Sequence, residues 1–230
     1  MFNFQVIKRA FITTIPVLMG YSVLGLAFGL LIQKAGYNWI WALFSSLFVY
    51  AGSMQFVLVS LLINQVPLAT VVVTTLLVNS RHLFYGLSFI EKFKGLDKRR
   101  YYMIFSLTDE TYALLTTLSN RGYKENEDDL MLAIAFLNQL YWITGSTLGA
   151  VLGSFVPFNT DGIEFAMAAL FVVIVVEQFL ANVNRKSTLI GFVCAITALM
   201  IFGPNQFLIA ALGAVVIILL LLKPILGEKR

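Results

Sequence analysis

Long apolar runs dominate this chain and restrict what it can fold into. About 20 apolar residues in a helix span a hydrocarbon core of about 30 Å, and continuous runs predict helices rather than a β-barrel. With 59% hydrophobic and 12% charged residues, the 230-residue chain has more apolar surface than a soluble domain could bury. We therefore predict an all-α integral membrane fold, a polytopic bundle of seven to eight transmembrane helices in one domain (1–230). The candidate runs are 11–33, 40–63, 67–90, 101–119, 130–156, 163–182, 187–202 and 205–222.

The distribution of lysine and arginine discriminates between two topologies for these runs. If residues 101–119 do not span and the amino terminus lies outside, almost all loop cations fall on one side, and only Lys8 and Arg9 fall on the other. If all eight runs span with the amino terminus inside, the division is more even, because the basic cluster 92–100 then lies outside. The positive-inside rule favours seven spans. Lys8 and Arg9 favour eight spans, because basic residues before a first helix ordinarily keep its start in the cytoplasm.

Other features argue against several classes of protein. The apolar run after Lys8 and Arg9 is longer than that of a signal peptide and has no small-residue cleavage site, so we expect no cleaved leader. Cys194 is the only cysteine, and inside an apolar run it is expected to be a packing residue rather than a reactive thiol. The net charge of +4 lies in short loops without a basic and aromatic stripe. This pattern predicts no nucleic-acid partner.

Two pairs of segments indicate an internal duplication. Residues 47–56 (LFVYAGSMQF) match residues 170–179 (LFVVIVVEQF) at five of ten positions, with an offset of 123. Residues 20–29 match residues 144–153 at four of ten positions, with an offset of 124. Because two separate blocks share nearly the same offset, we predict repeat units at 11–90 and 130–202.

Glycines four residues apart lie in both copies of the second matched block. Gly25 and Gly29 share one face of the first helix, and Gly145, Gly149 and Gly153 share one face of the fifth. Small residues at this spacing let a neighbouring backbone approach closely in lipid, and plain packing is the preferred interpretation. The functional interpretation is that the two helices cross at a pseudo-symmetry axis, where transporters built from repeats bind substrate near the midplane.

The sequence Asn79-Ser80-Arg81-His82 interrupts the third run at the depth of a bilayer core. An arginine at that depth costs about 2.5–3.5 kcal/mol, so a function or a partner is expected. Asn and Ser side chains compete for backbone hydrogen bonds, and we predict two half-helices facing a cavity. Asn79, Arg81 and His82 are candidate substrate-binding residues, with Arg81 gripping a carboxylate through two hydrogen bonds. A salt bridge to the acidic pair of the next run, or snorkelling to an interface, is the alternative for Arg81.

Acidic and amide side chains also lie inside apolar runs. Asp109 and Glu110 are adjacent, so on a helix they point about 100° apart and cannot face the same partner. A carboxylate in a low dielectric can bind and carry a proton, which makes Asp109, Glu110 and Glu177 candidate proton-coupling residues. A fixed salt bridge is the alternative. Gln55 and Gln178 are related by the predicted repeat and are candidate substrate-binding residues.

Three motifs follow one another along the chain: SLFVYAGSMQF at 46–56, NSRHLFYG at 79–86 and LTDETYAL at 107–114. They follow a Pro-Val-x-x-Gly-Tyr-x-x-x-Gly pattern that starts at Pro16. Together they resemble the AzlC family of bacterial branched-chain amino acid exporters. The resemblance implies a multi-pass permease of the bacterial inner membrane that works with a small AzlD-type membrane partner. It also implies export of valine, leucine, isoleucine or similar amino acids, driven by the proton gradient.

The resemblance can be followed residue by residue. Asn79, Arg81 and His82 match the family pattern Asn-x-Arg-His, and the family's Asp-Glu pair is matched by Asp109 and Glu110. The chain departs from the pattern just before Gln55, where Ser and Met stand in place of the usual small residues. That departure leaves the choice of substrate open but not the class of protein.

The motifs of an enzyme or a metal protein are missing from the sequence. The single histidine, His82, adjoins Arg81, and there is no Gly-x-Ser-x-Gly or His-Glu-x-x-His sequence, so we predict no enzyme, metal or cofactor. A non-transporting membrane scaffold or channel subunit is the alternative to a permease. Ionisable residues at lipid depth favour the permease, for which Phe48, Phe56 and Phe84 are expected to form an apolar wall around the substrate side chain.

Overall fold

The computed structural model describes residues 3–120, 126–155, 172, 176, 185–203 and 207–226. Within these ranges all regular secondary structure is helical, which confirms the predicted all-α class. The bounds of the helices follow in chain order: α1 (Phe4–Lys34), α2 (Trp39–Phe48), α3 (Gly52–Ile63), α4 (Leu68–Lys94), α5 (Arg99–Phe105), α6 (Asp109–Asn120), α7 (Glu127–Phe155), α8 (Arg185–Phe202) and α9 (Phe207–Leu226).

The chain divides into two compact units. Unit 1 contains Met1–Val66 and Asn79–Ile163, and unit 2 contains Pro67–Val78 and Glu164–Arg230, so α4 contributes to both. In unit 2, α8 and α9 pack against each other. The thiol of Cys194 is free and buried there, as expected for a packing residue. The candidate functional residues that the structure describes all lie in unit 1.

The apolar character of the chain is visible on its surface. Among the described residues, α1 is the one helix that is both long and apolar enough to cross a membrane, with a mean hydropathy of 2.1. The helices α2 and α3 and residues Thr188–Phe202 are apolar but shorter. Large side chains such as Met19 and Met200 are 69% and 82% exposed. Lipid rather than water is the medium that suits such a surface.

Helices α1 and α7 form the centre of unit 1 and run in parallel. Thr14 Oγ1 lies 3.1 Å from Tyr141 Oη. Residues farther along α1 contact residues farther along α7, as Gly29 does with Ala150. A Cβ on Gly29 would lie 2.1 Å from the carbonyl oxygen of Ser146, and one on Gly149 would lie 2.3 Å from the α1 backbone. Since nothing larger than glycine fits, the predicted packing through these glycines is confirmed.

The first turn of α7 marks one end of unit 1, which we call the basic end. Glu127 pairs there with Lys92 of α4, and Asp129 pairs with Arg99 of α5 at 2.6 Å. Val6 of α1 packs in an apolar cluster with the first residues of α7. Helices α1 and α7 therefore begin at the basic end and α4 finishes there. We call the opposite end the far end.

Helices α5 and α6, which we call the second hairpin, enter and leave at the basic end. Helix α5 begins at Arg99, at the basic end. Thr108, which follows α5, lies at the middle of unit 1, where its Oγ1 is 3.0 Å from Tyr21 Oη. Helix α6 then returns, because Leu115 and Leu118 join the apolar cluster around Leu130 at the basic end. Residues 101–119 thus do not cross unit 1, as the seven-span topology predicts.

Helices α2 and α3, which we call the first hairpin, mirror this arrangement from the far end. Helix α2 runs antiparallel to α7, with Ser46 Oγ 2.7 Å from Ser146 Oγ and the Leu47 carbonyl accepting from Gln139 Nε2 at 3.2 Å. The chain reverses at Tyr50, which has a φ of 41°. The two hairpins meet there, since the Tyr50 ring lies 6.2 Å from that of Phe105.

Helix α3 leaves the tip of the first hairpin toward the far end. The ring of Phe56 lies 5.8 Å from that of Phe28, which is farther along α1 than Tyr21, the residue that contacts the second hairpin. The run 40–63 is therefore two short helices of 10 and 12 residues separated by a break at 49–51, so the prediction of one continuous span there is wrong.

The predicted break at residues 79–82 is also wrong, because α4 is continuous through it. The Arg81 side chain binds two neighbouring elements, while the backbone of the stretch stays helical. The actual breaks are 49–51 and 106–108, at the tips of the two hairpins. At the first tip, the free N–H of Ala51 donates to Gln55 Oε1 at 3.3 Å. A side chain four residues away thus satisfies the backbone that the break exposes.

Candidate functional site

Arg81 of α4 connects the tips of both hairpins. Its Nη1 lies 2.5 Å from Asp109 Oδ2 at the start of α6, and its Nη2 donates to Ser53 Oγ at the start of α3 at 3.0 Å. Tyr85, one turn after Arg81, donates to Asp109 Oδ1 at 2.6 Å. We call Arg81, Asp109, Ser53 and Tyr85 the Arg81 cluster. Of the two alternatives for Arg81, the salt bridge is the one present.

The Arg81 cluster is accessible and has unused hydrogen-bonding capacity. Side chains of Arg81 and Asp109 are 34% and 35% exposed. Within the described residues, Arg81 Nε and Asn79 Oδ1 are buried without a hydrogen-bond partner. Both Ser53 and Asp109 stand at the first turn of a short helix, where backbone N–H groups favour negative charge. The cluster therefore combines a cation, an anion and two helix amino termini at mid-depth in unit 1.

His82 does not bind the cluster's ions directly. Its Nδ1 lies 3.2 Å from the carbonyl oxygen of Asn79, and its ring packs edge-on against Tyr85 at 5.6 Å. Tyr85 in turn stacks on Tyr112 at 4.5 Å. The ring stack holds Tyr85 in place beside Asp109. In the part of the chain that the structure describes, no group of three metal-ligating side chains occurs.

Glu110 turns away from Asp109, as their adjacency predicts. Tyr21 of α1 donates to Glu110 Oε2 at 2.6 Å, and the same hydroxyl lies 3.0 Å from Thr108 Oγ1. Among the described residues Glu110 forms no salt bridge. The two carboxylates thus have different environments: Asp109 neutralises a cation, whereas Glu110 is held by a hydroxyl.

Gln55 lies in a closed hydrogen-bond network. It is 0% exposed, and its Oε1 accepts from Trp142 Nε1 at 2.8 Å. Its Nε2 donates to Ser45 and Ser46 at 3.2 and 3.3 Å. Together with the bond from the Ala51 N–H, these contacts fill the capacity of the amide. Gln55 fixes the tip of the first hairpin and has no group left for a ligand.

The other predicted residues fall in several places. Glu177 and Gln178 lie outside the described residues, as does the side chain of Phe84. Phe48 is 66% exposed, whereas Phe56 is 2% exposed in a cluster with Phe28 and Trp142, so neither supports the predicted apolar wall.

Three contributors, Ser53, Tyr85 and Tyr21, were not predicted as site residues. The available signals were the position of Ser53 inside the first motif and the spacing of Tyr85 four residues after Arg81.

Comparisons with known proteins agree with the motifs. A family model described as AzlC protein matches residues 16–156. The Bacillus subtilis Branched-chain amino acid transport protein AzlC is 37% identical over 216 residues, which cover 94% of this chain and 85% of that protein. A Helicobacter pylori membrane protein is 43% identical over 217 residues, 94% of each chain. The Escherichia coli Inner membrane protein YgaZ is 28% identical and covers 76% of this chain and 73% of its own length.

No solved structure matches the chain. The family match includes all three motifs and therefore Ser53, Arg81 and Asp109. Relatives that align over almost the whole chain are membrane proteins by name, and one is an amino acid transport protein. These findings place the chain in a membrane and give it a role in transport: it belongs to the AzlC family.

Proposed function

We propose that this protein exports branched-chain or similar small apolar amino acids across a bacterial inner membrane, together with a small AzlD-type membrane subunit. The name of the Bacillus subtilis relative supports the substrate class. The Arg81 cluster supports a zwitterionic substrate, because one accessible cation and one accessible anion lie 2.5 Å apart where two helix breaks meet. This juxtaposition is the observation that carries the proposal.

The substrate exchanges partners with the Arg81–Asp109 pair. Its carboxylate takes the place of Asp109 on the Arg81 guanidinium, whose planar fork suits two parallel hydrogen bonds, and the first turn of α3 at Ser53 adds backbone N–H groups. Its ammonium takes the place of Arg81 on Asp109. Asn79, with an unpartnered Oδ1, is a second acceptor for the ammonium. His82 orients Tyr85, and Gln55 supports the first hairpin; Gln178 stays a candidate contact.

Proton coupling is assigned to carboxylates of the same region. Asp109 exchanges the Arg81 guanidinium for the substrate ammonium when substrate binds, which makes its proton affinity depend on substrate. Glu110 already lies in a hydroxyl environment without a cation among the described residues, so it is the better proton carrier. Glu177 stays a third candidate. Coupling requires that a carboxylate bind a proton in one conformation and release it in another.

The arrangement of unit 1 supports a multi-pass topology with a cytoplasmic amino terminus. Since neither hairpin crosses, Lys8 and Arg9 lie at the same end as the basic cluster 92–100 and the conflict in the charge distribution disappears. By the positive-inside rule the basic end is cytoplasmic. Helices α1, α4 and α7 are long enough to cross, with 31, 27 and 29 residues. We propose this orientation in place of the predicted seven-span topology, in which the amino terminus lies outside.

Efflux tests the proposal. Proteoliposomes containing the protein and its small partner are loaded with radiolabelled valine and diluted into buffers that impose or abolish a proton gradient. We expect efflux that requires the protein, rises with the gradient, and is inhibited by leucine and isoleucine. Inhibition by lysine or glutamate as strong as that by leucine would contradict the substrate class. Absence of valine flux from well-folded protein and partner would favour the scaffold instead.

A further inference from the structure

An apolar groove with a cationic end lies on the outside of unit 1 and is not used by transport as proposed. Its volume is about 310 Å³, and α4 and α5 line it. The apolar lining comes from Gly86, Ile90, Phe93 and Ile104. The groove opens toward the surrounding medium, since Ile90 and Ile104 are 44% and 55% exposed.

Two cations line the groove at the basic end, Lys94 and Arg100. Lys94 pairs with Glu91 one turn away at 2.6 Å, an exposed ion pair that is easily exchanged. Arg100 forms no salt bridge with a described residue and lies over the Tyr101 ring at 4.9 Å; the nearby carboxylate is Asp97. The neighbouring cations Lys92 and Arg99 are paired with α7. Lys94 and Arg100 are thus available to an external anion.

We propose that this groove binds an anionic glycerophospholipid of the membrane leaflet at the basic end. The phosphate sits between Lys94 and Arg100, and one acyl chain follows the apolar lining from Phe93 to Gly86. Lys94 and Gly86 are eight residues apart, about 12 Å along α4, so the lining extends inward from the charged end as an acyl chain does. Charge complementarity at one end and an apolar track behind it select a lipid over a soluble anion.

Gly86 provides a variant that fills the groove without damaging the fold. A Cβ at Gly86 would meet nothing within 4 Å, and leucine is the better helix former. Gly86→Leu therefore occupies the acyl track. Gly20→Leu is the matched control, because Gly20 lies in α1 and also has nothing within 4 Å. Lys98→Gln is the charge control, since Lys98 is exposed at the same end but does not line the groove.

The experiment is native mass spectrometry of the purified full-length protein with added phosphatidylglycerol or phosphatidylcholine. Each cation near the headgroup contributes about a fivefold preference, so the wild type should prefer phosphatidylglycerol by about 30-fold. Lys94→Gln with Arg100→Gln should abolish the preference, and Gly86→Leu should reduce binding of both lipids. Gly20→Leu and Lys98→Gln should match the wild type.

Three results would overturn the proposal. They are equal binding of both lipids by the wild type, an unchanged preference in the double variant, and undiminished binding in Gly86→Leu. A photoreactive residue at Ile90 adds an independent readout in native membranes. We expect it to capture phospholipid, and capture of a polypeptide in its place would assign the groove to a protein partner. None of these outcomes depends on the transported substrate.

Discussion

The two hairpins have similar outlines but differ in the contacts at their tips. A closed network of neutral groups fixes the first hairpin, in which the Gln55 amide is fully buried and fully bonded. The tip of the second hairpin adds an ion pair, Asp109 on Arg81, at a place where both side chains are about one third exposed; farther along the hairpin, Thr111 Oγ1 accepts a neutral hydrogen bond from Asn138 Nδ2 at 3.0 Å. Neutral buried networks are rigid and cannot exchange partners without exposing unpaired groups. An accessible ion pair exchanges partners with any suitable ligand.

This difference suggests a division of labour between the two tips. In the proposed mechanism, the first hairpin, packed through Ser46 on Ser146 of α7, is a fixed frame that presents Ser53 to the substrate. The second hairpin carries Asp109 and Glu110, and we expect its contacts to change with substrate and protons.

Labelling of engineered cysteines should show the two hairpins on opposite sides of the membrane. In a Cys194→Ser background, Asn38→Cys and Gln65→Cys flank the first hairpin and should both react with an impermeant maleimide added outside intact cells. Asp97→Cys, before the second hairpin, should react only after permeabilisation. In intact cells we expect full labelling at the first two positions and none at Asp97→Cys. Labelling of Asn38→Cys and Gln65→Cys from opposite sides would mean that residues 40–63 span.

Removal of the Arg81 guanidinium should abolish transport but leave the protein folded. We expect Arg81→Ala to lower valine efflux by at least about 100-fold, because a charged hydrogen-bonding partner is lost. Arg81→Lys should restore little, since a point charge lacks the planar fork. Efflux assays with protein amounts matched by fluorescence-detected size exclusion give the measurement. Normal efflux in Arg81→Ala would make the arginine structural.

Truncation of Gln55 should lower stability more than transport, the opposite of the effect expected for Arg81→Ala. Gln55→Ala leaves the Trp142 N–H and the Ala51 N–H without their acceptor, at about 1–3 kcal/mol for each buried group. We expect a marked loss of thermal stability in detergent, whereas Arg81→Ala should remain close to the wild type. Efflux per folded molecule should change less in Gln55→Ala than in Arg81→Ala. A stable Gln55→Ala protein that fails to bind valine would instead place Gln55 in the substrate site.

The two carboxylates should differ in their effect on pH dependence. Glu110→Gln keeps the hydrogen bond from Tyr21 but cannot take up a proton, so we expect valine exchange to continue while proton-driven accumulation is lost. Asp109→Asn removes the partner of Arg81 and should weaken substrate binding itself. Exchange and gradient-driven flux measured between pH 6 and pH 8 separate the two effects. If Glu110→Gln retains full gradient-driven flux, Glu110 is not the proton carrier.

Loss of the Tyr85 hydroxyl should have the smallest effect. Tyr85→Phe removes the bond to Asp109 Oδ1 but keeps the stack on Tyr112. A single hydrogen bond to a charged group contributes about 1.5–3 kcal/mol, and water can replace it at this exposed site. We expect at most about a tenfold rise in the valine concentration for half-maximal efflux. A loss as large as that of Arg81→Ala would give Tyr85 a direct role.

Part of this arrangement could be predicted from the sequence. Apolar runs give the helical class, and glycines four apart give the contact between α1 and α7, because both are local patterns with one physical consequence. Arg81 and Asp109 stand out as charges at lipid depth. The breaks could not be placed, since Asn79 and Ser80 have the side chains of a break but keep helical geometry. Tyr50 and Ala51 break the helix because Gln55, Trp142 and Ser46 hold the turn in tertiary contact.

The most direct test of the central claim, that Arg81 binds the substrate carboxylate, pairs a truncated residue with a truncated ligand. Leucine and its decarboxylated analogue 3-methylbutylamine are compared for binding to the wild type and to Arg81→Ala, purified with the small partner. If Arg81 binds the carboxylate, the wild type should prefer leucine by about 100-fold and Arg81→Ala should bind both ligands alike. An undiminished preference for leucine in Arg81→Ala would contradict the claim.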